Sequence, residues 1–187
     1  YVNGEDIRRV YNQEVRRGRA MPLEPAAQII MGAAAGLCHA HKHTDLNGNP
    51  MGLVHRDVSP QNILVSYTGH VKIIDFGVAK AANKIQVTRA GVIKGKYSYM
   101  SPEQARGLTQ IDHRADVWGA GIVLFQLLTG STPFDDVDGL AELIIAVCGE
   151  EPIDIREVDA SVSAEMAQIV RGCLRLSPDD RFQSARE

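Results

Sequence analysis

Apolar residues recur mostly at helical spacing along the chain, and this pattern predicts a largely helical protein. The clearest early example predicts a helix over about residues 25–43 with one buried face. That face is expected to contain Ile30, Ala34, Leu37 and His41. Gly32 and Gly36 each weaken the helix by about 1 kcal/mol relative to alanine, so its formation is expected to depend on packing.

Two later segments also have helical patterns. Residues 117–128, VWGAGIVLFQLL, are apolar on every face, which is typical of a helix in the middle of a core. The following Thr129 and Gly130 are expected to end that helix. Ser163 is a candidate N-cap for an amphipathic helix. The apolar face of that helix would consist of Met166, Ile169, Val170, Cys173 and Leu174.

One strand pair interrupts the helical pattern in the first half of the chain. The segments ILVS and VKII flank the turn sequence YTGH, and this arrangement predicts a short β-hairpin. The fold class expected from these patterns is therefore α+β, mainly helical with one small hairpin.

The composition excludes several classes of protein. With 187 residues, of which 44% are hydrophobic and 23% charged, the chain is expected to form a globular domain. A net charge of -3 gives no general attraction to nucleic acid. We expect no membrane contact from this segment, because no apolar run reaches the roughly 20 residues of a membrane span. Three cysteines without a CxxC pair favour a reducing, cytoplasmic setting.

The candidate chemistry lies between the first helix and the fully apolar one. The sequence HRDVSPQN, residues 55–62, has the spacing of a loop in which Asp57 orients a hydroxyl and Asn62 holds a metal ion. Asp75 begins the sequence DFG at the end of the second strand, so the hairpin can return it to the side of Asn62. Two oxygen-bearing side chains then converge on one hard cation, as Mg2+ with its phosphates requires.

Two further motifs complete an ordered series, SPE at residues 101–103 and DVWGAG at residues 116–121. With all four motifs in this order, the chain resembles the protein kinase family, specifically the large C-terminal lobe of eukaryotic-type (Hanks-type) bacterial serine/threonine kinases. The resemblance extends over nearly the whole chain and implies a protein kinase-like fold. It implies a catalytic domain over residues 1–187 that starts just after the hinge, with its catalytic loop at 55–62 and its activation segment at 75–103.

The resemblance implies roles in catalysis and in binding ATP and Mg2+. Asp57 would be the catalytic base, and Asn62 and Asp75 would be the Mg2+ ligands. Leu64 would form the floor beneath the adenine. Asp6, at the start of the first helix, lies where such kinases often hold the ATP ribose.

Other matching positions would be structural. His55 and Phe76 belong to the catalytic-loop and DFG motifs. Glu103 and Arg181 resemble the buried ion pair that anchors the activation segment in the family. Asp116 resembles the residue that braces the catalytic loop from the central helix.

The chain departs from the family pattern at Ser59 and Lys96. Most serine/threonine members have lysine at the first position and threonine at the second, so the two residue classes are exchanged. An opposite charge about 4 Å away contributes up to about 4 kcal/mol at an effective dielectric constant near 20, and half of that corresponds to more than about tenfold in rate. Our hypothesis is that Lys96 supplies the missing charge and that the Ser59 hydroxyl makes the polar contact of the usual threonine. The alternative is that Lys96 points to solvent.

The resemblance also implies a switch in the activation segment. Arg56, directly before Asp57, marks family members that are activated by phosphorylation, because an arginine can bind the roughly two negative charges of a phosphate. Thr88, in the sequence QVTRAG, is the leading phosphorylation site. The alternative is a solvated loop threonine.

A protein kinase also needs a Gly-rich loop over the phosphates and a strand lysine of the V-A-I-K type, and neither motif occurs in residues 1–187. We therefore expect the chain to be a fragment that lacks the N-terminal lobe, its partner within the same protein, and to be inactive by itself. The expected function of the parent is transfer of the ATP γ-phosphate to serine or threonine hydroxyls of protein substrates. The alternative is a pseudokinase or signalling scaffold without catalysis.

Two other features have simpler explanations. Among His39, His41 and His43, only two share a helix face, which favours a structural role over a metal site. His41 is expected to pack beneath the catalytic loop. The arginines between residues 8 and 19 alternate with acidic residues, which favours a solvated helix face over a nucleic-acid site.

Overall fold

A small antiparallel sheet and a set of helices surround one central helix. The computed structural model describes residues 2–76 and 97–187. Its strands are β1 (Gly4–Asp6), β2 (Ile63–Ser66) and β3 (Val71–Ile73). Its helices are α1 (Ile7–Arg16), α2 (Leu23–His41), α3 (Pro102–Ala105), α4 (Arg114–Thr129), α5 (Leu140–Gly149), α6 (Ile155–Val158) and α7 (Ala164–Cys173). Short 3-10 turns cover Pro60–Asn62 and Pro178–Asp180.

Helix α4 is the central element, as its apolar sequence predicts. Thirteen of its sixteen residues are buried, and it packs against α2 and α7. The helix ends at Gly130, whose φ of 85° lies in the left-handed region that glycine adopts at low cost. Within residues 2–76 and 97–187, none of the helices combines the length and apolar character that crossing a membrane requires.

Helix α7 agrees with most of its prediction. Its N-cap is Ser163, whose hydroxyl accepts a hydrogen bond from the backbone N–H of Met166 at 3.2 Å. Ala167 and Val170 are its buried residues. The predicted helix and its N-cap are therefore confirmed, but Ile169, which was expected on the apolar face, is exposed, so that part of the predicted face was wrong.

Helix α2 corrects part of the sequence prediction. It runs over Leu23–His41, two residues earlier at each end than predicted. Only Leu37 of the predicted face is fully buried, whereas Ile30, Ala34 and His41 are half-buried. The residues that are buried along α2 are Ala26, Ile29, Ala33, Leu37 and Ala40. The predicted face was wrong by one position over most of its length, because apolar residues occupy more than one face of this alanine-rich helix and their spacing does not define which face meets the core.

The sheet contains the predicted hairpin and one additional strand. Strand β2 lies in the middle, paired antiparallel with β3 on one side and with β1 on the other. The hairpin prediction is confirmed, but β1 was not predicted, since its sequence, GED, has no residue with high strand propensity. A Cβ atom at Gly4 would collide with the carbonyl oxygen of Val65. Close approach of two backbones therefore explains this strand better than propensity does.

Helix packing around α4 leads to a stability prediction. A Cβ atom at Gly121 would lie 2.5 Å from Cβ of Cys173 and 2.9 Å from Cδ2 of Leu174. We expect Gly121→Ala to lower the free energy of unfolding by about 1–3 kcal/mol, the usual cost of overpacking a core, as measured by urea denaturation. Gly149→Ala is the matched control, because nothing lies within 4 Å of its added Cβ. Equal stability of the two variants would contradict the prediction.

Candidate active site

The loop that carries Asp57 is attached to the core through one buried carboxylate. Asp116 lies on α4 and is fully buried. Its Oδ2 accepts a hydrogen bond from the backbone N–H of His55 at 2.8 Å, and its Oδ1 accepts one from Arg56 at 2.7 Å. Nε2 of His41, from α2, lies 2.7 Å from Oδ2. These contacts connect the loop of Asp57 to two helices of the core, and they place His41 beneath that loop.

His55 connects this loop to the end of β3. Its Nδ1 accepts a hydrogen bond from the backbone N–H of Asp57 at 3.2 Å, so the proton lies on Nε2, which donates to the carbonyl of Ile74 at 2.8 Å. The imidazole ring also lies 4.6 Å from the ring of Phe76, between centroids. His55 is completely buried. It therefore joins the segment of Asp57 to the segment of Asp75.

Asn62 makes a second connection between the same two segments. Its Nδ2 donates to the carbonyl of Asp57 at 2.8 Å, and its backbone carbonyl accepts from the N–H of Ile74 at 3.0 Å. The amide orientation leaves Oδ1 as the available oxygen of this side chain. Asp75, next to Ile74, is exposed. The structure thus brings Asn62 and the Asp75 segment together.

Two non-glycine residues in the described part of the chain have a left-handed backbone, and both belong to this site. Arg56 has a φ of 63° and Asp75 a φ of 59°. Such conformations cost about 1–3 kcal/mol each and persist only when surrounding contacts determine them. For Arg56 those contacts include the bond of its N–H to Asp116 and the bond of its carbonyl to Nε2 of Gln104 at 2.8 Å. Its guanidinium lies 3.4 Å from the carbonyl of Ile111.

Gln104 was missed in the sequence analysis. Its Oε1 accepts hydrogen bonds from the N–H and the hydroxyl of Ser101, both at 3.1 Å, at the start of α3. Its Nε2 meanwhile binds Arg56. One side chain therefore both caps α3 and attaches it to the loop of Asp57. The spacing S-x-x-Q, typical of a capping box, was the available signal.

The residues expected at the nucleotide lie on the sheet. Leu64, in the middle strand, is paired with Asp6 across β1 and β2. The carboxylate of Asp6 caps α1 by accepting a hydrogen bond from the N–H of Arg9 at 2.9 Å. The structure therefore brings these two residues together, with one oxygen of Asp6 already engaged.

Ser59 is almost completely buried, with 1% of its surface exposed. Its hydroxyl has no hydrogen-bond partner among the described residues. Its backbone carbonyl accepts from the N–H of Asn62 at 2.9 Å, which closes the 3-10 turn. Lys96 and Thr88 lie outside the described residues, so their predicted roles stay predictions.

Glu103 and Arg181 form a buried ion pair between α3 and the end of the chain. The guanidinium of Arg181 donates to both carboxylate oxygens at 2.8 Å, and neither residue is more than 6% exposed. Arg181 also donates to the carbonyls of Arg114 and Leu176, and its guanidinium lies 5.1 Å from the ring centroid of Trp118. Although burial raises the pKa of Glu103, the hydrogen bonds and charge of Arg181 bring that pKa below its ordinary value.

A comparison with protein families accounts for this arrangement. The family model described as Protein kinase domain matches residues 1–187. The chain belongs to the protein kinase family. The family inferred from the four sequence motifs is therefore confirmed, and the helices and three-stranded sheet are those of a protein kinase domain.

Relatives of this kinase domain are bacterial protein kinases. The chain is 39% identical, over 99% of its length, to the tyrosine-protein kinase MasK of Myxococcus xanthus. It is 36% identical to the serine/threonine-protein kinase drp72 of Corynebacterium efficiens and 35% identical to the serine/threonine-protein kinase PknB of Mycobacterium leprae, in both cases over its whole length. The chain spans 28%, 33% and 28% of the lengths of these three curated relatives.

The buried ion pair of this kinase gives a pH-dependent stability prediction. We expect Glu103→Gln to lower the free energy of unfolding by about 3 kcal/mol near neutral pH, because it leaves the buried charge of Arg181 without its counter-ion. A carboxyl with a depressed pKa stabilises the folded state above its unfolded pKa, and this contribution is lost as the pH falls through the folded pKa. The difference from the wild type should therefore shrink below about pH 4.3.

Urea denaturation across pH 3–7 would measure this difference. The matched control is Asp179→Asn, which removes the carboxylate of an exposed pair with Arg114. Its effect should be much smaller at every pH, because exposed ion pairs contribute little. An effect of Glu103→Gln no larger than that of the control would contradict the prediction.

Proposed function

We propose that the chain carries the catalytic centre of an ATP-dependent protein kinase that phosphorylates serine or threonine hydroxyls in signalling. One observation supports this most strongly: His55 and Asn62 bind both the segment of Asp57 and the segment of Ile74, next to Asp75. A phosphoryl-transfer site needs a residue that orients the hydroxyl and metal ligands close beside it. A scaffold protein without catalysis has no physical need for a hydroxyl-orienting residue beside metal ligands.

Each of the three residues has a distinct proposed role. Asp57 accepts the hydrogen bond of the incoming substrate hydroxyl and orients it. Asn62, through Oδ1, and Asp75, through its exposed carboxylate, would hold Mg2+. Amide and carboxylate oxygens are the ligands that this hard cation prefers, so the residues fit the ion that the family usually uses. When bound, Mg2+ with ATP supplies the transferable phosphate and neutralises its charge.

The sheet is proposed to bind the nucleoside. Leu64 would contact the adenine from the middle strand, and Asp6 would bind the ribose with the oxygen that does not cap α1. Residues 1–187 contain neither a Gly-rich loop nor a V-A-I-K lysine. We propose that an N-terminal lobe of the same protein supplies both, so that residues 1–187 act as the large lobe of a catalytic domain. Three free cysteines support a reducing, cytoplasmic setting for this lobe.

The activation segment is proposed to carry the regulatory site. Arg56 is held in place by its backbone bonds to Asp116 and Gln104. In this proposal its guanidinium, which now lies near the carbonyl of Ile111, would exchange that weak contact for a phosphate on Thr88. A charge-assisted bond to phosphate is stronger than a long bond to a carbonyl.

The acceptor residue of the substrate is a separate question within this proposal. Two of the three relatives named above are serine/threonine kinases and one is a tyrosine kinase. Ser59 is shorter than the lysine that most serine/threonine members carry. We favour serine or threonine as the acceptor, and phosphotyrosine is the other outcome that the experiment distinguishes.

The proposed function predicts phosphoryl transfer by the whole protein. With radiolabelled ATP, Mg2+ and myelin basic protein as the acceptor, we expect incorporation of label, and phosphoamino-acid analysis should give phosphoserine or phosphothreonine. Asp57→Asn should reduce transfer by at least about a hundredfold, because it removes the acceptor of the hydroxyl proton. Residues 1–187 alone should be inactive. A whole protein that binds ATP but is no more active than its Asp57→Asn variant would be a scaffold.

The exchange of residue types at Ser59 and Lys96 is proposed to be functional. A buried hydroxyl without a hydrogen-bond partner is unusual, because such groups are costly to desolvate. The Ser59 hydroxyl is buried and has no hydrogen-bond partner among the described residues. Contact with the ammonium group of Lys96 would satisfy it and would also bring a positive charge to the transferred phosphate.

This coupling predicts a non-additive pair of substitutions. Lys96→Thr alone should lower kcat more than about tenfold, if it removes at least half of the roughly 4 kcal/mol that a nearby positive charge can contribute at the transferred phosphate. Ser59→Lys together with Lys96→Thr should restore most of the activity, because it returns one positive charge to the site. Steady-state kinetics of the whole protein would measure both effects. If the double variant behaves no differently from either single variant, the two positions are not coupled.

A further inference from the structure

Gln104 makes one hydrogen bond more than its place in the capping box of α3 requires. That position needs only an acceptor for the N-cap residue, and glutamate and glutamine both supply one. Oε1 of Gln104 accepts from the N–H and the hydroxyl of Ser101 in this way. Its Nε2 is a donor that glutamate lacks, and it binds the carbonyl of Arg56, 48 positions earlier in the sequence. The amide therefore indicates a role outside the helix.

The carbonyl of Arg56 belongs to the peptide unit that joins Arg56 to Asp57. Both polar groups of this unit are bound by side chains. Nε2 of Gln104 donates to its carbonyl at 2.8 Å, and Nδ1 of His55 accepts from its N–H at 3.2 Å. The bond from Gln104 is the shorter one, and it comes from outside the loop of Asp57. Rotation of this peptide unit would break both bonds.

The backbone around this unit makes its orientation sensitive to its contacts. Arg56 has a φ of 63°, a conformation that persists only where surrounding contacts determine it. Asp116 binds the N–H of Arg56, and Gln104 binds its carbonyl. Asn62 binds the carbonyl of the next peptide unit, after Asp57. The units before and after Asp57 set the direction in which its side chain leaves the backbone, and Gln104 holds the first of them.

Helix α3 is anchored on both sides of Gln104. Glu103 forms the buried ion pair with Arg181. The guanidinium of Arg106, directly after α3, donates to the carbonyl of Cys148 near the end of α5. A side chain whose rotamer is fixed by hydrogen bonds and whose helix is held in place can position another group precisely. Gln104 meets both conditions.

We propose that Gln104 is a positioning residue for Asp57. Its Nε2 fixes the peptide unit between Arg56 and Asp57, and thereby the direction in which Asp57 meets the substrate hydroxyl. This inference rests on the proposed function, in which Asp57 orients that hydroxyl. A purely structural role, the capping of α3, needs Oε1 alone. The two roles depend on different atoms of one side chain, so substitution can separate them.

Gln104→Glu removes the donor and keeps the acceptor that caps α3. With myelin basic protein as the substrate, we expect kcat of the whole protein to fall about ten- to a hundredfold, because a small displacement of a reacting group has an effect of this size. KM for ATP and KM for myelin basic protein should each stay within about twofold. Gln104→Met, which has a similar length and introduces no charge, should lower kcat by a similar factor.

Two variants serve as matched controls. Ser101→Ala removes part of the cap but leaves the bond from Gln104 to Arg56, so it should lower the melting temperature while kcat stays within about twofold. Gln13→Glu makes the same chemical change as Gln104→Glu at an exposed position of α1 and should have wild-type kinetics. A loss of kcat in Ser101→Ala equal to that in Gln104→Glu would assign the effect to the cap and would overturn the inference.

A double variant tests whether Gln104 acts through Asp57. In the Asp57→Asn background, Gln104→Glu should reduce the residual rate by less than about twofold, because the group that Gln104 positions is already lost. Equal factors in the two backgrounds would mean that Gln104 acts on another part of the site, and the inference would fail.

Hydrogen–deuterium exchange of the peptide that contains residues 55–62 gives a measurement that does not require activity. Gln104→Glu and Gln104→Met should each speed amide exchange there by at least about fivefold, the effect of losing one hydrogen bond that holds the backbone. Gln13→Glu should leave it unchanged.

The outcomes separate the two proposals. Unchanged kcat in both Gln104 variants, or unchanged exchange, would overturn the inference and leave the proposed function intact. Absence of phosphoryl transfer by the wild type would overturn the proposed function. The exchange measurement would then still decide whether Gln104 holds the peptide unit before Asp57.

Discussion

The carboxylate of Asp116 is the interaction on which the rest of the site depends. Removing a carboxylate from water costs several kcal/mol, which good hydrogen bonds must offset. Here two backbone N–H groups of the loop that carries Asp57 and the imidazole of His41 provide those bonds. The loop therefore supplies hydrogen bonds that the buried Asp116 carboxylate needs. In turn, the position of this carboxylate in the core determines the path of the loop. Packing around α4 and the geometry near Asp57 are consequently parts of one structural unit.

The pair of Glu103 and Arg181 extends this unit to the end of the chain. Arg181 binds a carboxylate on α3, a carbonyl at the start of α4 and the face of Trp118. Gln104, next to Glu103, then connects α3 to the loop of Asp57. A small number of charged and amide side chains thus determines how three separate segments meet. The apolar contacts supply most of the stability, whereas these polar contacts specify one arrangement.

The sequence was sufficient for the features that depend on short fixed spacings. The motifs around Asp57 and Asp75 predicted which segments meet, because a tight hairpin leaves few alternatives. The buried face of α2 was harder to predict, since an alanine-rich helix has apolar side chains on several faces and spacing alone does not define its rotation. Strand β1 depends on a close approach of Gly4 to Val65, which is a tertiary contact. The bond from Gln104 to Arg56 is tertiary as well.

The left-handed backbone at Arg56 has a consequence for the shape that residues 55–62 can keep outside the protein. A free chain would rotate this residue into an ordinary conformation, because nothing outside the fold compensates for the unfavourable φ. A short synthetic peptide with the sequence of residues 55–62 would therefore not retain the shape that the loop has in the protein. The path of this loop depends on the carboxylate of Asp116, 60 positions away from Arg56 in sequence.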